Sequence, residues 1–164
     1  MIFSKAQCDL IEQFDNRMMQ KDPRTHRHVR DVRRLAVVIC RALPDSLRSQ
    51  IDERRLMVGA LLHDIGTLKI PNEILHHQQA LCDADREKLN RRLEHGRRML
   101  QHTPLQGLIP LIAPDLDMPN LEAKVIIVAS RYCRARAHLM WSRLDLKTIA
   151  ALVDEVGESQ RECA

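Results

Sequence analysis

The 164-residue chain has very few aromatic side chains, and these are limited to Phe3, Phe14, Tyr132 and Trp141. Proteins that bind single-stranded nucleic acid without sequence preference usually stack the bases on aromatic rings. So few rings exclude a stacking platform of that kind. The apolar residues are mostly aliphatic, and the length predicts one domain, residues 1–164, with an ordinary buried core.

The chain also lacks paired cysteine spacing and long apolar runs. Its five cysteines include no C-x-x-C pair, which favours reduced thiols over a disulfide framework. No apolar run approaches the length of a membrane span. Lys5, Asp9 and Glu12 lie where a secretory signal would be apolar. We therefore expect a cytoplasmic protein that has no membrane partner.

Strand-like alternation is absent as well, and nearly every segment has helical spacing that ends at a proline or a capping residue. Val29, Val32, Ala36 and Ile39 share one helical face and predict a stripe that points to the core. This pattern predicts an all-α domain, a bundle of about six to eight helices. The helices are expected at about 4–19, 23–43, 45–64, after Pro71, 83–102, in one short segment among the later prolines, 121–141 and 145–156.

The most informative segment contains a His-Asp pair. His63 and Asp64 end an apolar helix, and Gly66 follows at a position where helices commonly stop. Adjacent imidazole and carboxylate groups can both reach one divalent metal ion. A His-Asp pair alone is weak evidence because chance supplies it often, so the surrounding residues decide its meaning.

Those surroundings resemble a known family. The runs are His63–Thr67, which reads HDIGT, and Ile70–Leu75, which reads IPNEIL. They resemble the HD superfamily of metal-dependent phosphohydrolases and, within it, the HD-GYP cyclic di-GMP phosphodiesterases, which carry HDIGK and an I-P-x-x-I-L run. Residues 22–28 are similar to the family's D-x-x-T-x-x-H, and residues 150–157 to its last helix. The resemblance implies an HD helical bundle in which His28, His63 and Asp64 are metal ligands.

Several family positions differ in this chain. Thr67 replaces the lysine that follows HDIG, and Lys69 could substitute for it only by reaching around. Arg92 stands where the next metal-binding histidine is expected, in a register that Gly96 supports. His95 lies one helical turn from Arg92 and is a candidate displaced ligand, although a surface histidine is the simpler interpretation.

The later family positions are lost. Only residues 114–120 separate a helix ending near Ala113 from the next helix, so the His-His-Glu and GYP segment is missing. Ser130 replaces the metal-binding aspartate, and Asp115 and Asp117 are candidate stand-ins, although loop carboxylates are usually solvated. The expected site is therefore vestigial or weak. It holds no metal, or one divalent ion (Fe, Mn or Zn) at reduced affinity.

Arg92 has three interpretations that the sequence leaves open. Its guanidinium could pair with Asp64 and replace the charge of a metal, because an unpaired buried carboxylate is costly. Together with Lys69 it could instead contact a phosphate. The third interpretation is that Arg92 points to solvent beside Arg91.

Three functional hypotheses follow. The first is a degenerate HD-GYP-like domain that does not hydrolyse cyclic di-GMP and acts as a regulatory or binding module in bacterial-type signalling, with a protein partner or a nucleotide or phosphorylated ligand. The alternative is a metal-dependent phosphohydrolase that acts on a nucleotide or phosphoester through His28, His63 and Asp64. The lowest-ranked hypothesis is a nucleic-acid binder, based on the net charge of +4 and the arginines of residues 24–34.

Overall fold

The computed structural model describes residues 2–76, 82–115, 117–135 and 146–161, and within these ranges the chain is helical without any strand. The all-α prediction is therefore confirmed. None of the described helices is long and apolar enough to cross a membrane. The α-helices are α1 Lys5–Lys21, α2 Pro23–Ala42, α3 Asp45–Arg48, α4 Glu53–Leu62, α5 Asn72–His76, α6 Asp83–Asn90, α7 Arg92–Leu100, α8 Ile109–Ile112, α9 Leu121–Ala135 and α10 Leu146–Arg161. Two short 3₁₀ helices span Ile65–Lys69 and Gln106–Leu108.

The first two helices begin at side-chain caps. Ser4 and Gln7 form a reciprocal capping box at the start of α1, as their spacing predicts. Asp22 caps α2, where its carboxylate accepts hydrogen bonds from the backbone N–H groups of Arg24 and Thr25 at 3.0 and 3.3 Å. The hydroxyl of Thr25 also donates to Asp22 Oδ2 at 2.6 Å. The D-x-x-T part of the motif therefore fixes where α2 starts, five residues before His28.

Two predicted helices are each divided in the structure. The helix expected from Asp45 to the His-Asp pair separates into α3 and α4, because the carboxylate of Asp52 accepts from the N–H groups of Arg54 and Arg55 and starts a new helix. The helix expected over residues 83–102 is divided at Arg91 into α6 and α7. These divisions give more helical segments than the six to eight expected.

Helix α2 runs through the core and packs against α1, α4, α9 and α10. The predicted stripe is confirmed, because Val29, Val32, Ala36 and Ile39 are all fully buried. The main core cluster joins this face to residues of α4, α9 and α10. The central helices thereby hold His28 of α2, the end of α4 and Ser130 of α9 near one another.

Gly66 was expected at the position where helix α4 stops, but α4 already ends at Leu62 and Gly66 lies within the 3₁₀ helix Ile65–Lys69. No described glycine has a positive φ. A Cβ atom on Gly66 would lie only 1.8 Å from the carbonyl oxygen of Arg92 and 2.7 Å from the backbone nitrogen of Gly96. Glycine is required at this position because the backbone of α7 packs directly against it. This contact places Arg92 next to the His-Asp pair.

The last two helices, α9 and α10, begin at or next to their predicted first residues, and α10 is longer than predicted. Helix α9 begins at Leu121, as predicted, and is described as far as Ala135. The remainder of the predicted segment, residues 136–141, lies outside the described residues. Helix α10 begins at Leu146 and continues to Arg161, five residues beyond the predicted end.

Candidate functional site

His28, His63 and Asp64 meet at the point where α2, the end of α4 and α9 converge. One ligand atom from each residue lies within 4.8 Å of the other two. Asp64 Oδ2 is 3.4 Å from His63 Nε2 and 3.8 Å from His28 Nε2. The two imidazole rings meet edge to face, with 5.5 Å between their centroids. The family-derived ligand set is therefore one cluster in space.

The orientation of His63 is set by the end of helix α4. Its Nδ1 lies 2.8 Å from the carbonyl oxygen of Ala60, to which only a protonated ring nitrogen can donate. In the neutral ring this leaves Nε2 with a lone pair that faces Asp64 and Ser130. A backbone carbonyl that fixes the tautomer in this way is typical of histidines that bind metals.

Ser130 lies between the two histidines. Its hydroxyl oxygen is 3.3 Å from His28 Nε2 and 3.4 Å from His63 Nε2. Because a hydroxyl has a single proton, it can donate to only one of the two rings at a time. Ser130 therefore links the histidines but adds no negative charge, as the expected aspartate would.

Asp64 is buried and is paired with two arginines. Arg134 Nη2 donates to Asp64 Oδ2 at 2.9 Å. Arg92 Nε lies 3.5 Å from Asp64 Oδ1, a charge contact without a hydrogen bond. The Arg92 side chain is only 25% exposed, so the interpretation that it points to solvent is wrong. Thr67 also fixes this turn by donating to the backbone oxygen of Asp64 at 2.7 Å.

Arg134 is the site residue that the sequence interpretation missed. It lies four residues after Ser130 on α9, and residues at that spacing share a helical face. Once Ser130 was aligned with a ligand position, this spacing was a signal that could have identified Arg134. No family motif marks the position, which is why the resemblance did not identify it.

The surroundings of the cluster perturb the protonation of two of its members. Burial is the main cause that lowers the pKa of His28 to about 4, and the charges of His63 and Arg134 add to it against the attraction of Asp64. Burial by itself would raise the pKa of Asp64. His63, Arg134 and His28 outweigh burial and hold the pKa of Asp64 well below its usual range. At neutral pH the site therefore presents a neutral imidazole at His28 and an ionised carboxylate at Asp64.

The other candidate residues lie outside this cluster. Lys69 is exposed at the end of the first 3₁₀ helix, and His95 is half-buried on α7. Asp115 and Asp117 are exposed, and Asp115 Oδ1 accepts a hydrogen bond from the backbone N–H of Asp117 at 3.1 Å. Within the described ranges the group whose ligand atoms meet consists of His28, His63 and Asp64 alone. The structure therefore gives the four other residues no position at the cluster.

Two of the three separations between the donors suit a single divalent ion. In a tetrahedral site with metal–ligand distances of about 2.1 Å, two ligand atoms lie roughly 3.4 Å apart. The separations of 3.4 and 3.8 Å between Asp64 Oδ2 and the two histidine nitrogens are close to that value. A second ion would require further donors, and among the described residues no other His, Cys, Asp or Glu joins this group.

Comparison with known proteins assigns the family. The model of the HD domain matches residues 12–116, which is more than half of the chain and includes His28, His63, Asp64 and Arg92. Ser130 and Arg134 lie beyond the matched range. Comparisons with curated proteins and with solved structures give no significant match. The chain therefore belongs to the HD domain family.

Proposed function

We propose that this HD domain acts by binding, as a regulatory or adaptor module of HD-GYP-like ancestry in bacterial-type signalling, and that it does not hydrolyse cyclic di-GMP. The observation that carries the proposal is the pairing of Asp64 with Arg134 and Arg92. In metal-dependent hydrolysis, bound cations balance the ligand carboxylates and lower the pKa of an attacking water. Here two guanidinium groups balance the carboxylate.

Arginine replaces only part of what a metal supplies. A guanidinium stabilises a buried carboxylate, which would otherwise be costly to desolvate. It stays protonated and has no open coordination position for water, so it cannot generate a hydroxide nucleophile. The neutral hydroxyl of Ser130 also leaves the site without the second carboxylate of the family pattern. These features favour a role in binding.

The charge of the site indicates the class of ligand. Two guanidinium groups face one carboxylate, which leaves an excess of positive charge, and the Arg134 side chain is 48% exposed. Arginine is well suited to phosphate because its N–H groups form a planar fork. A nucleotide or another phosphorylated ligand, or a protein partner that carries such a group, is the expected occupant.

The test is a hydrolysis assay on the purified chain. Protein without a tag is incubated with cyclic di-GMP and with Mn²⁺, Fe²⁺ or Zn²⁺ in turn, and Asp64→Ala serves as the control. We expect the wild type to release no more product than the Asp64→Ala variant. Metal-dependent hydrolysis that Asp64→Ala abolishes would contradict the proposal.

A second candidate is a phosphohydrolase with one metal ion, and the observation that favours it is the spacing of the three donors. His28, His63 and Asp64 would hold the ion, which when bound supplies Lewis acidity and an activated water. A screen of nucleotides and phosphomonoesters tests this function. Activity that is lost in both His63→Ala and Asp64→Ala supports it, whereas activity that survives both changes rules out this site.

The arginines of residues 24–34 do not lead us to propose nucleic-acid binding. Arg30 Nη2 donates to Asp15 of α1 at 2.9 Å, and Arg34 lies 3.7 Å from Asp31. Two cations of this face are therefore paired with carboxylates of the same chain. Such pairing is typical of a solvated helix surface.

A further inference from the structure

We propose that Arg134 lowers the affinity of the cluster of His28, His63 and Asp64 for a divalent cation, because it competes with the cation for Asp64. This inference rests on the proposed function, in which arginine balances the charge of Asp64. Arg134 supplies most of that balance. The low metal affinity that the sequence implies then has a cause, because Arg134 contacts the carboxylate oxygen that an ion would bind.

The competition is for one atom. Asp64 Oδ2 is the oxygen that lies 3.4 Å from His63 Nε2 and 3.8 Å from His28 Nε2, so an ion held by the three donors would bind to it. Arg134 Nη2 lies 2.9 Å from the same oxygen. A cation and a guanidinium that share one carboxylate oxygen repel each other, and the interior of the site screens this repulsion only weakly.

The two arginines at Asp64 differ in how easily they can leave. Arg92 is fixed, because its side chain is three-quarters buried and its backbone carbonyl packs against Gly66. Arg134 is about half exposed, and its side chain reaches the site from one edge. A side chain of this kind can move into solvent without disturbing the core. Arg134 is therefore the residue whose removal would open Asp64 to a cation.

The same helix provides a matched control. Arg131 lies three residues before Arg134 on α9, is 74% exposed and pairs with Glu155 of α10 at 3.5 Å. Substituting Arg131 removes the same unit of positive charge from the same helix without changing a contact of Asp64. The comparison of Arg134→Gln with Arg131→Gln therefore separates local competition from a general effect of net charge.

The experiment measures metal affinity directly. Mn²⁺ and Zn²⁺ are titrated into full-length wild type, Arg134→Gln and Arg131→Gln by calorimetry, and Mn²⁺ binding is followed in parallel by electron paramagnetic resonance. We expect Arg134→Gln to bind Mn²⁺ at least tenfold more tightly than the wild type, and Arg131→Gln to remain within twofold of it. Adding His63→Ala to Arg134→Gln should remove the gain, which places the ion at this cluster.

Two results would overturn the inference. One is an unchanged metal affinity in Arg134→Gln, and the other is an equal gain in Arg131→Gln. Circular dichroism melting checks that each variant is folded, and Arg134→Ala provides a second variant for which the same gain is required. The proposed function is tested separately, because it fails if the wild type hydrolyses cyclic di-GMP, whatever the metal affinity of the Arg134 variants.

Discussion

Asp64 and Glu122 are both buried carboxylates paired with arginine, but they lie in different surroundings. Glu122 of α9 accepts a hydrogen bond from Arg55 of α4 and another from the backbone N–H of Asp52. Arg55 also donates to the carbonyl oxygen of Gly107, so this pair joins three parts of the fold. Asp64 instead faces two histidines and two arginines, and one of these arginines is half exposed.

The pKa values of the two carboxyl groups shift in opposite directions. Burial raises the pKa of Glu122 despite the attraction of Arg55. The pKa of Asp64 is held well below its usual range although Asp64 is at least as buried, because His63, Arg134 and His28 outweigh burial. Glu122 pairs with Arg55 and accepts one backbone hydrogen bond, as in a structural ion pair. Asp64 lies beside two arginines and two histidines, and a buried carboxylate whose pKa such neighbours shift strongly is a candidate for a functional site.

The largest expected effect comes from breaking the structural pair. Replacing Arg55 with Met leaves Glu122 buried without its cation, which costs about 3–5 kcal/mol of the free energy of unfolding. Urea denaturation measures this loss. Arg54→Met is the control, because Arg54 is an exposed neighbour on the same helix and its loss should change stability by no more than about 0.5 kcal/mol. Equal effects of the two substitutions would show that the Arg55–Glu122 pair is not structural.

A slightly smaller loss should follow from displacing the backbone beside Asp64. In Gly66→Ala the new methyl group meets the carbonyl oxygen of Arg92, so the variant should lose roughly 3 kcal/mol of stability. Gly157→Ala on α10 is the control, because among the described residues no atom outside its own helix backbone and chain neighbours lies within 4 Å of the added Cβ. This control should be neutral or stabilised by up to about 1 kcal/mol. A Gly66→Ala variant as stable as the wild type would contradict the close approach of α7.

Acid should destabilise the protein through His28. The unfolded state takes up a proton near pH 6.5, whereas His28 in the folded state does so only near pH 4. Between these values the unfolded state binds more protons, so the free energy of unfolding falls as the pH falls from 6.5 to 4, by at most about 3 kcal/mol. Above pH 6.5 neither state is protonated and this dependence vanishes.

Denaturation curves across this pH range measure the effect of His28. His28→Gln lacks the titrating ring and should flatten the dependence between pH 6.5 and 4. Asp64 adds a further loss below its ordinary pKa of 3.8, because its own pKa is lowered. Glu122 acts in the opposite direction, since its raised pKa favours protonation of the folded state. A His28→Gln variant whose stability falls as steeply as that of the wild type between pH 6.5 and 4 would contradict the burial of a neutral His28.

The smallest expected effect on stability belongs to Arg134. Its pair with Asp64 resembles that of Arg55 with Glu122, but the side chain is half exposed and Arg92 remains beside the carboxylate. Arg134→Gln should therefore cost no more than about 1 kcal/mol in urea denaturation. If Arg134→Gln lost as much stability as Arg55→Met, both ion pairs would be structural. The contrast between a structural carboxylate at Glu122 and a functional one at Asp64 would then be wrong.

Helical starts and the core stripe were predictable because they depend on local chemistry. Ser4 and Gln7 cap α1 through groups three residues apart, and the apolar spacing of α2 identifies its buried face. The division at Asp52 was missed because an aspartate serves as a cap only when the chain turns there. The role of Gly66 was missed for a similar reason. Contact with α7 involves Arg92 and Gly96, which are 26 and 30 positions away, and nothing in the local sequence reveals it.

The three members of the cluster were predictable from the sequence, but the charge balance around them was not. His28, His63 and Asp64 follow from family motifs, and the structure brings them together. The contact of Arg92 with Asp64 was one of the alternatives, and its alignment with a ligand position made it visible. Arg134 has no motif. Its place at Asp64 depends on the packing of α9 against α2, which periodicity alone does not specify.

The cap at the start of α2 also has a consequence for how HD domains are recognised. Asp22 and Thr25 belong to the D-x-x-T-x-x-H signature, yet their side chains bond to each other and to the first turn of the helix. These two positions therefore report that a helix begins there, whatever the chemistry of the cluster below. Part of such a signature is therefore determined by helix capping and not by catalysis. It will identify a domain whose catalytic residues have changed as readily as one whose residues are intact.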